Sequence, residues 1–132
     1  MRLEFWIVLF AVFVLIDIFF IWKVFAGKKR KFNAQDLLNF RFRWKAIMAL
    51  EGHNAVIEAD KLLHFYLRKL GYTGSMGEIL KSHPGLFSDL DSLWNAHKQR
   101  NKIAHEIGFK LNEAEKKEAL RVFYNSCRDI GL

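Results

Sequence analysis

Cysteine and proline are nearly absent from this 132-residue chain, which contains one of each. Because a disulfide needs two thiols, the single Cys127 excludes a disulfide framework within the chain, and nothing in the composition demands an oxidising compartment. Hydrophobic residues make up 52% of the sequence, so the chain is not of the disordered class. We expect Cys127 to be a structural thiol on an apolar helix face.

Several motifs that carry catalytic chemistry are also missing. The sequence has no glycine-rich phosphate loop, no serine or cysteine nucleophile constellation and no HExxH pattern, which argues against hydrolases of those kinds. The spacing of His53, His64 and His83 is not that of metal ligands. We therefore predict neither a metal nor a cofactor.

What is present is a long apolar run near the N-terminus. Residues 5–25 run FWIVLFAVFVLIDIFFIWKVF, in which Asp17 and Lys23 are the charged residues. At ~1.5 Å per residue such a helix covers roughly the ~30 Å of a hydrocarbon core. Trp6 and Trp22 lie near its opposite ends, where indole rings favour the membrane–water interfaces. The run predicts a single membrane-spanning helix.

The charges that flank this run predict its orientation. The run is preceded by a lone Arg2 and followed directly by four basic residues, Lys28, Lys29, Arg30 and Lys31. Because cytoplasmic flanks collect Lys and Arg, we predict a single-pass protein of the cell membrane with its N-terminus outside and its C-terminal domain in the cytoplasm. A cleaved signal peptide is the alternative, with Val24 and Ala26 ahead of the cut. The length of the apolar run and the basic residues after it argue against cleavage.

Asp17 lies near the centre of the predicted span, where a charged carboxylate costs several kcal/mol unless it is protonated or paired. Two interpretations remain open. Asp17 is either a neutral side chain that the surrounding apolar residues tolerate, or it forms a hydrogen bond between two copies of the helix.

We divide the chain into an anchor at 1–26, a basic juxtamembrane linker or helix at 27–53, and a helical domain at 54–132. In the middle segment Arg41, Arg43 and Lys45 interleave with Phe40, Phe42 and Trp44. Next to a bilayer, this composition favours contact with anionic headgroups over a grip on nucleic acid. The predicted basic patch comprises Lys28, Lys29, Arg30, Lys31, Arg41 and Arg43. If residues 27–53 contain a packed first helix of the domain, that helix could still contact either lipid headgroups or nucleic acid.

The remaining sequence has helical periodicity and no strand pattern. Asn54–Leu70 is a predicted helix that Gly71 stops, and Asn112 begins a capping pattern with Glu115 ahead of the last helix. Between them the sequence predicts a short helical piece over Glu78–Ser82 and a long helix over Leu86–Ile107. The predicted fold class is therefore all-α.

The segment WNAHKQRNKIAHE, residues 94–106, has a polar face where a core helix should be aliphatic. On a wheel of ~100° per residue, one broad face holds His97, Arg100, Asn101, Ala104 and His105. Because unpaired buried polar groups are expensive, something polar must meet this face.

RNKIAH, from Arg100 to His105, resembles the Arg-x-x-x-x-His motif of the HEPN superfamily of small helical nucleic-acid-binding domains. The surrounding helices are similar to those of bacterial membrane-anchored HEPN-like proteins, and the resemblance covers roughly residues 54–132. It implies an up-and-down four-helix bundle that forms a homodimer, with the two motifs facing each other across a cleft.

The resemblance also implies an activity, because many HEPN proteins are metal-independent endoribonucleases. In that scheme Arg100 holds the scissile phosphate, His105 acts as general acid or base, and Asn101 orients the phosphate or the imidazole. The net charge of +7 is consistent with RNA as a partner.

A structural interpretation competes with this one. Asp60 could pair with Arg100, His97 could hydrogen-bond beside it, and Glu106 could form a local salt bridge, so that the motif is a buried polar network. The chain would then be a non-enzymatic helical module that dimerises or recruits a partner at the membrane.

Overall fold

The computed structural model describes residues 2–26 and 31–132. These residues form six α-helices and one 3-10 turn and no strand, which confirms the predicted all-α class. The helices are α1 (Arg2–Ala26), α2 (Ala34–Met48), α3 (Asn54–Lys69), α4 (Met76–Ser82), α5 (Leu90–His105) and α6 (Glu113–Asp129). The chain divides into two compact units, residues 1–30 and residues 31–132.

Helix α1 is long and apolar enough to cross a membrane. Arg2–Val24 has a mean hydropathy of 2.7, and its side chains are exposed. A signal sequence near an N-terminus shares these properties, so α1 is compatible with both interpretations of the apolar run. Gly27, Lys28, Lys29 and Arg30, on which the predicted orientation and cleavage site depend, lie outside the described residues.

Helix α2 packs against α3 as part of the second unit, so the segment at 27–53 contributes a packed helix. Asn33 begins α2 with a capping box, because its side chain accepts from the Asp36 N–H while the Asp36 carboxylate accepts from the Asn33 N–H. Phe40 and Ile47 are buried on the inner face. The Phe40 ring contacts Tyr66 of α3 edge-on, with 5.9 Å between ring centroids.

Helix α3 lies at the centre of the second unit and packs against α2, α5 and α6. Its fully buried side chains include Val56, Leu63 and Leu67. The helix ends within one residue of the predicted Leu70, and Gly71 follows at a φ of +102°, a conformation that favours glycine.

The helices on either side of Pro84 begin at other residues than the sequence predicted. Helix α4 starts at Met76, two residues before the predicted Glu78, because the Ser75 side chain caps it. Helix α5 starts at Leu90, four residues after the predicted Leu86. Pro84–Leu86 form a 3-10 turn instead, and the Asp89 side chain caps α5 by accepting from the Ser92 N–H.

Helix α6 begins with the predicted capping box between Asn112 and Glu115. Leu120, Phe123 and Cys127 are buried in the core as its periodicity predicts, whereas Tyr124 is 37% exposed. Burial raises the pKa of the Cys127 thiol to about 12, so this cysteine is a structural residue without thiolate chemistry.

Candidate functional site

The candidate site is built around Asp60, a carboxylate that α3 carries into the core. Asp60 is only 4% exposed. Its side chain faces α5, where Oδ1 lies 2.7 Å from His97 Nδ1 and Oδ2 lies 3.4 Å from Arg100 Nε. Because burying an isolated carboxylate is costly, these two partners on α5 are what allow an aspartate at this position.

His97 connects Asp60 to a second polar side chain. Since a carboxylate can only accept, the 2.7 Å contact places a hydrogen on His97 Nδ1, and in the neutral imidazole Nε2 is then an acceptor. Asn101 Nδ2 lies 3.3 Å from that Nε2 and can donate to it. The i, i+4 spacing of His97 and Asn101 on α5 brings the two groups together.

Arg100 closes the polar network. Its Nη1 donates to Asn101 Oδ1 at 3.1 Å, and its Nε faces Asp60 from the other side. Three hydrogen bonds and one ion pair therefore link Arg100, Asn101, His97 and Asp60 in a ring. We call these four side chains the Asp60 ring.

The three nitrogens of the Arg100 guanidinium have different surroundings. Nε is buried and forms an ion pair with Asp60 but no hydrogen bond of good geometry. Nη2 makes no hydrogen bond within residues 2–26 and 31–132, and the Arg100 side chain is 22% exposed. Arg100 thus contacts Asp60 and Asn101, and its side chain is partly exposed.

His105, the other end of the motif, is not part of the ring. It is the last residue of α5, it is exposed, and it makes no hydrogen bond among the described residues. Five residues on a helix turn the side chain by ~140° and advance it by ~7.5 Å, so Arg100 and His105 diverge within one chain. The polar face predicted on α5 is therefore buried at His97 and exposed at Ala104 and His105.

Glu106 follows α5 and is exposed. Its backbone N–H caps the helix by donating to the Lys102 carbonyl at 2.8 Å. Its side chain forms no ion pair in the part of the chain that the structure describes, so the local salt bridge expected from the sequence is not seen there.

The basic patch predicted near the membrane is described only in part. Lys31, Arg41 and Arg43 are exposed, whereas Lys28, Lys29 and Arg30 lie outside the described residues. The Arg43 guanidinium lies over the Phe65 ring, 4.8 Å from its centroid. Arg43 therefore contributes both to the charge of α2 and to its contact with α3.

Three histidines outside the motif have local roles. His53 Nε2 accepts from the Leu111 N–H at 2.9 Å and joins the start of α3 to the segment before α6, a contact between distant residues that spacing could not reveal. His64 Nε2 lies 3.0 Å from the Gly74 carbonyl, and the His83 ring contacts Tyr72. Within 2–26 and 31–132, no group of three or more His, Cys, Asp or Glu residues could hold a metal ion.

The chain matches no protein-family model, no curated protein and no solved structure. The resemblance to HEPN domains that the segment from Arg100 to His105 suggests therefore stays a prediction.

Proposed function

We propose that the chain is a membrane-anchored HEPN-type protein whose cytoplasmic helical domain binds RNA and cleaves it without a metal. The observation that carries the proposal is the position of Arg100, which Asp60 and Asn101 hold and whose Nη2 makes no hydrogen bond among the described residues. His105 extends from the exposed last turn of the same helix. An arginine cation and an imidazole are groups that suit a phosphodiester substrate, and two copies of the chain would bring them to the same phosphate.

Arg100 would bind the scissile phosphate. Because Asp60 and Asn101 hold the guanidinium, little side-chain freedom is lost when the phosphate binds, and the planar fork can contact two phosphate oxygens. The charge on Arg100 would stabilise the additional negative charge that develops on those oxygens in the transition state.

His105 would move the protons. As general base it would take the proton of the 2′-hydroxyl while the 2′-oxygen attacks phosphorus, and a second imidazole would give a proton to the 5′-oxygen that leaves. The products are a 2′,3′-cyclic phosphate and a 5′-hydroxyl end.

The second imidazole would come from a second copy of the chain. Because Arg100 and His105 diverge within one chain, a homodimer with its two α5 ends facing each other would unite an arginine and two histidines around one phosphate. In the finer fold that we propose, the four α-helices of residues 54–132, α3 to α6, form an up-and-down bundle of the HEPN type.

The test is RNA cleavage by the full chain in detergent micelles with EDTA present. We expect fragments with 2′,3′-cyclic phosphate ends, and a loss of about a hundredfold or more in rate for both Arg100→Ala and His105→Ala. Arg68→Ala and His83→Ala remove the same groups from other exposed positions and serve as matched controls. Intact RNA with every variant, or cleavage that survives His105→Ala, would reject the nuclease.

The closed geometry of the Asp60 ring favours the second candidate function, a non-catalytic interaction module. Asp60 and Asn101 engage Arg100 without any ligand, as in a network whose role is to fix the packing of α5 on α3. Fluorescence anisotropy with a labelled RNA separates the two functions. If the chain is a non-catalytic module, Arg100→Ala and Arg68→Ala should have equal affinity for RNA. If the helical domain binds RNA, Arg100→Ala alone should lose affinity for RNA.

A further inference from the structure

Helices α2 and α3 together expose a mixed apolar and basic surface on the second unit. Its apolar members are exposed, although they are side chains that a core would ordinarily bury: Leu38, Phe42, Leu50 and Phe65. Its basic members are also exposed: Arg41 and Lys45 lie beside Leu38 and Phe42 on the outer side of α2, whereas Arg43 and Lys61 border the groove between α2 and α3. We call this surface the α2–α3 face.

Helix α2 is apolar on both sides. On a wheel of ~100° per residue, Leu38 and Phe42 lie opposite the buried Phe40 and Ile47, so packing against α3 cannot cover them. Phe42 is 77% exposed and Leu38 is 58% exposed. Bulky apolar side chains that are clustered and exposed in this way mark an interaction site.

The α2–α3 face is concave between the two helices. A groove with a volume of about 550 Å³ is bordered by Phe42 and Arg43 of α2 and by Lys61, Leu62 and Phe65 of α3. Because Arg43 lies over the Phe65 ring, a cation and an aromatic side chain occupy the same rim.

The charge of the face is positive. Glu58, the acidic side chain that borders the groove, pairs with Lys61 at 2.9 Å. Arg41, Arg43 and Lys45 have no ion-pair partner among the described residues. The face is therefore complementary to a densely anionic surface.

We propose that the α2–α3 face binds the anionic leaflet of the membrane that α1 enters, a proposal that rests on the anchoring part of the proposed function and not on RNA cleavage. Leu38, Phe42 and Phe65 enter the boundary between headgroups and acyl chains, and the basic side chains beside them contact lipid phosphates. This pattern of basic and bulky apolar residues is typical of interfacial helices.

Two observations favour lipid: the exposed Leu38 argues against RNA, and the short connection to α1 argues for the membrane. Leu38 at the exposed edge of α2 cannot stack on a base, whereas it gains free energy by leaving water for acyl chains. Only seven residues of sequence, 27–33, separate α1 from α2. A membrane that holds α1 therefore keeps the α2–α3 face at high effective concentration beside its lipids.

The test places an environment-sensitive fluorophore on single cysteines of the full chain in liposomes that contain nitroxide-labelled lipid. Cys127 is buried with a raised pKa, so Phe42→Cys and the control Asn125→Cys on α6 can be labelled selectively. In phosphatidylcholine with phosphatidylglycerol we expect strong quenching at position 42 and little at position 125. In phosphatidylcholine alone, the quenching at position 42 should fall by about half or more.

Charge reversal adds a second measurement. Arg41→Glu with Lys45→Glu should reduce the quenching at position 42 by about half or more, whereas Lys117→Glu with Arg128→Glu on α6 makes the same charge change and should leave it unaltered. Equal quenching at positions 42 and 125 would overturn the proposal. So would disulfide crosslinking between two copies through Phe42→Cys without lipid quenching, because a second chain would then cover the face.

A label at Leu15→Cys in α1 separates this proposal from the anchor. If position 15 is not quenched by lipids labelled deep in the acyl chain, α1 does not span the bilayer and the anchoring part of the proposed function fails. Quenching at position 42 in those same vesicles would still support lipid binding by the α2–α3 face. RNA cleavage is a separate measurement, and its absence leaves the lipid contact intact.

Discussion

At the scale of single residues, the contact with Asp60 determines the charge and the orientation that the Arg100 guanidinium presents to a ligand. A guanidinium next to a buried carboxylate has part of its charge offset and one edge occupied. The same contact fixes the orientation of the remaining donors, which a flexible surface arginine would not have. The contact with Asp60 therefore reduces the net charge that Arg100 presents to a ligand. It also holds the guanidinium in a fixed orientation.

The Asp60 ring should also stabilise the fold. We predict that Asp60→Ala lowers the free energy of unfolding of the full chain in detergent by about 2 kcal/mol, measured by urea unfolding with circular dichroism. The substitution removes the acceptor of the His97 Nδ1–H and the ion-pair partner of the buried Arg100 Nε. We expect a smaller loss of unfolding free energy than for a fully buried ion pair, because the Arg100 side chain is partly exposed.

Asp91→Ala is the matched control for this prediction. Asp91 is an exposed aspartate in the first turn of α5 without an ion pair among the described residues, so its loss should cost about 0.5 kcal/mol or less. Equal losses for the two variants would mean that the Asp60 ring contributes nothing specific.

At the scale of helices, capping side chains determine where the elements begin. The boxes at Asn33, Ser75 and Asn112 each satisfy backbone N–H groups that the helix itself leaves unpaired. The box before α2 has an additional link, because Lys69 of α3 forms an ion pair with Asp36. The Tyr66 hydroxyl donates to the Asp36 carbonyl at 3.3 Å, so one turn of α2 is joined to α3 twice.

The link between Asp36 and Lys69 should make the packing of α2 sensitive to acid. The hydrogen bond from Lys69 and that from the Asn33 N–H lower the pKa of Asp36 below its ordinary value of 3.8. A lowered folded-state pKa contributes stability above the unfolded-state pKa, and this stability is lost as pH falls through the folded-state pKa. Asp36→Asn should therefore be less stable than the natural chain near neutral pH, and the difference should disappear in strong acid.

The measurement for Asp36 is the urea midpoint from roughly pH 6 down to roughly pH 2 for both chains. The difference between them is the relevant quantity, since Glu78, Asp89 and Glu118 also have lowered pKa values and destabilise both chains in acid. A difference that does not depend on pH would show that the Asp36 charge is not what stabilises the start of α2.

The sequence predicts those elements whose signals are local. The capping box at Asn112 and the stop at Gly71 depend on neighbouring backbone groups, and both are found where the pattern places them. The start of α5 was predicted four residues too early, because apolar periodicity continues through Leu86 while the cap that decides the boundary is Asp89. Tyr124 fits the apolar stripe of α6, yet it lies at the exposed edge beside Trp44.

For the candidate site too, the sequence indicates which side chains could meet but not the full geometry of their contacts. The structural interpretation of the motif pairs Asp60 with Arg100 and places a hydrogen bond of His97 beside them, and the structure shows both contacts. The sequence does not predict the contact of Asn101 with His97, although their i, i+4 spacing on α5 allows it. The geometry between His97 and Asp60, 37 residues apart, depends on side-chain directions across two helices. Helical spacing also does not predict whether His105 faces another copy of the chain, because that depends on contacts between chains.

At the scale of the whole molecule, the proposed active site needs two chains, and α1 carries a residue that could join them. Asp17 lies in the middle of an apolar helix. In a membrane a carboxyl group on such a helix gains from a hydrogen bond with a second helix, since no water is available to it. Two anchored copies would also meet in a plane, which raises their effective concentration.

We predict that chemical crosslinking of the full chain in membranes yields a dimer, and that Asp17→Leu weakens this dimer by about threefold, as expected for one interhelical hydrogen bond. Val14→Leu changes an apolar residue of the same helix without removing a polar group, so its crosslinked fraction should match that of the natural chain. The crosslinked fraction is measured at several ratios of protein to lipid, because a specific dimer persists on dilution and random collision does not. A dimer of equal strength in Asp17→Leu would identify Asp17 as a tolerated neutral side chain, and pairing would then have to come from the helical domain, where the α5 ends meet in the proposed active site.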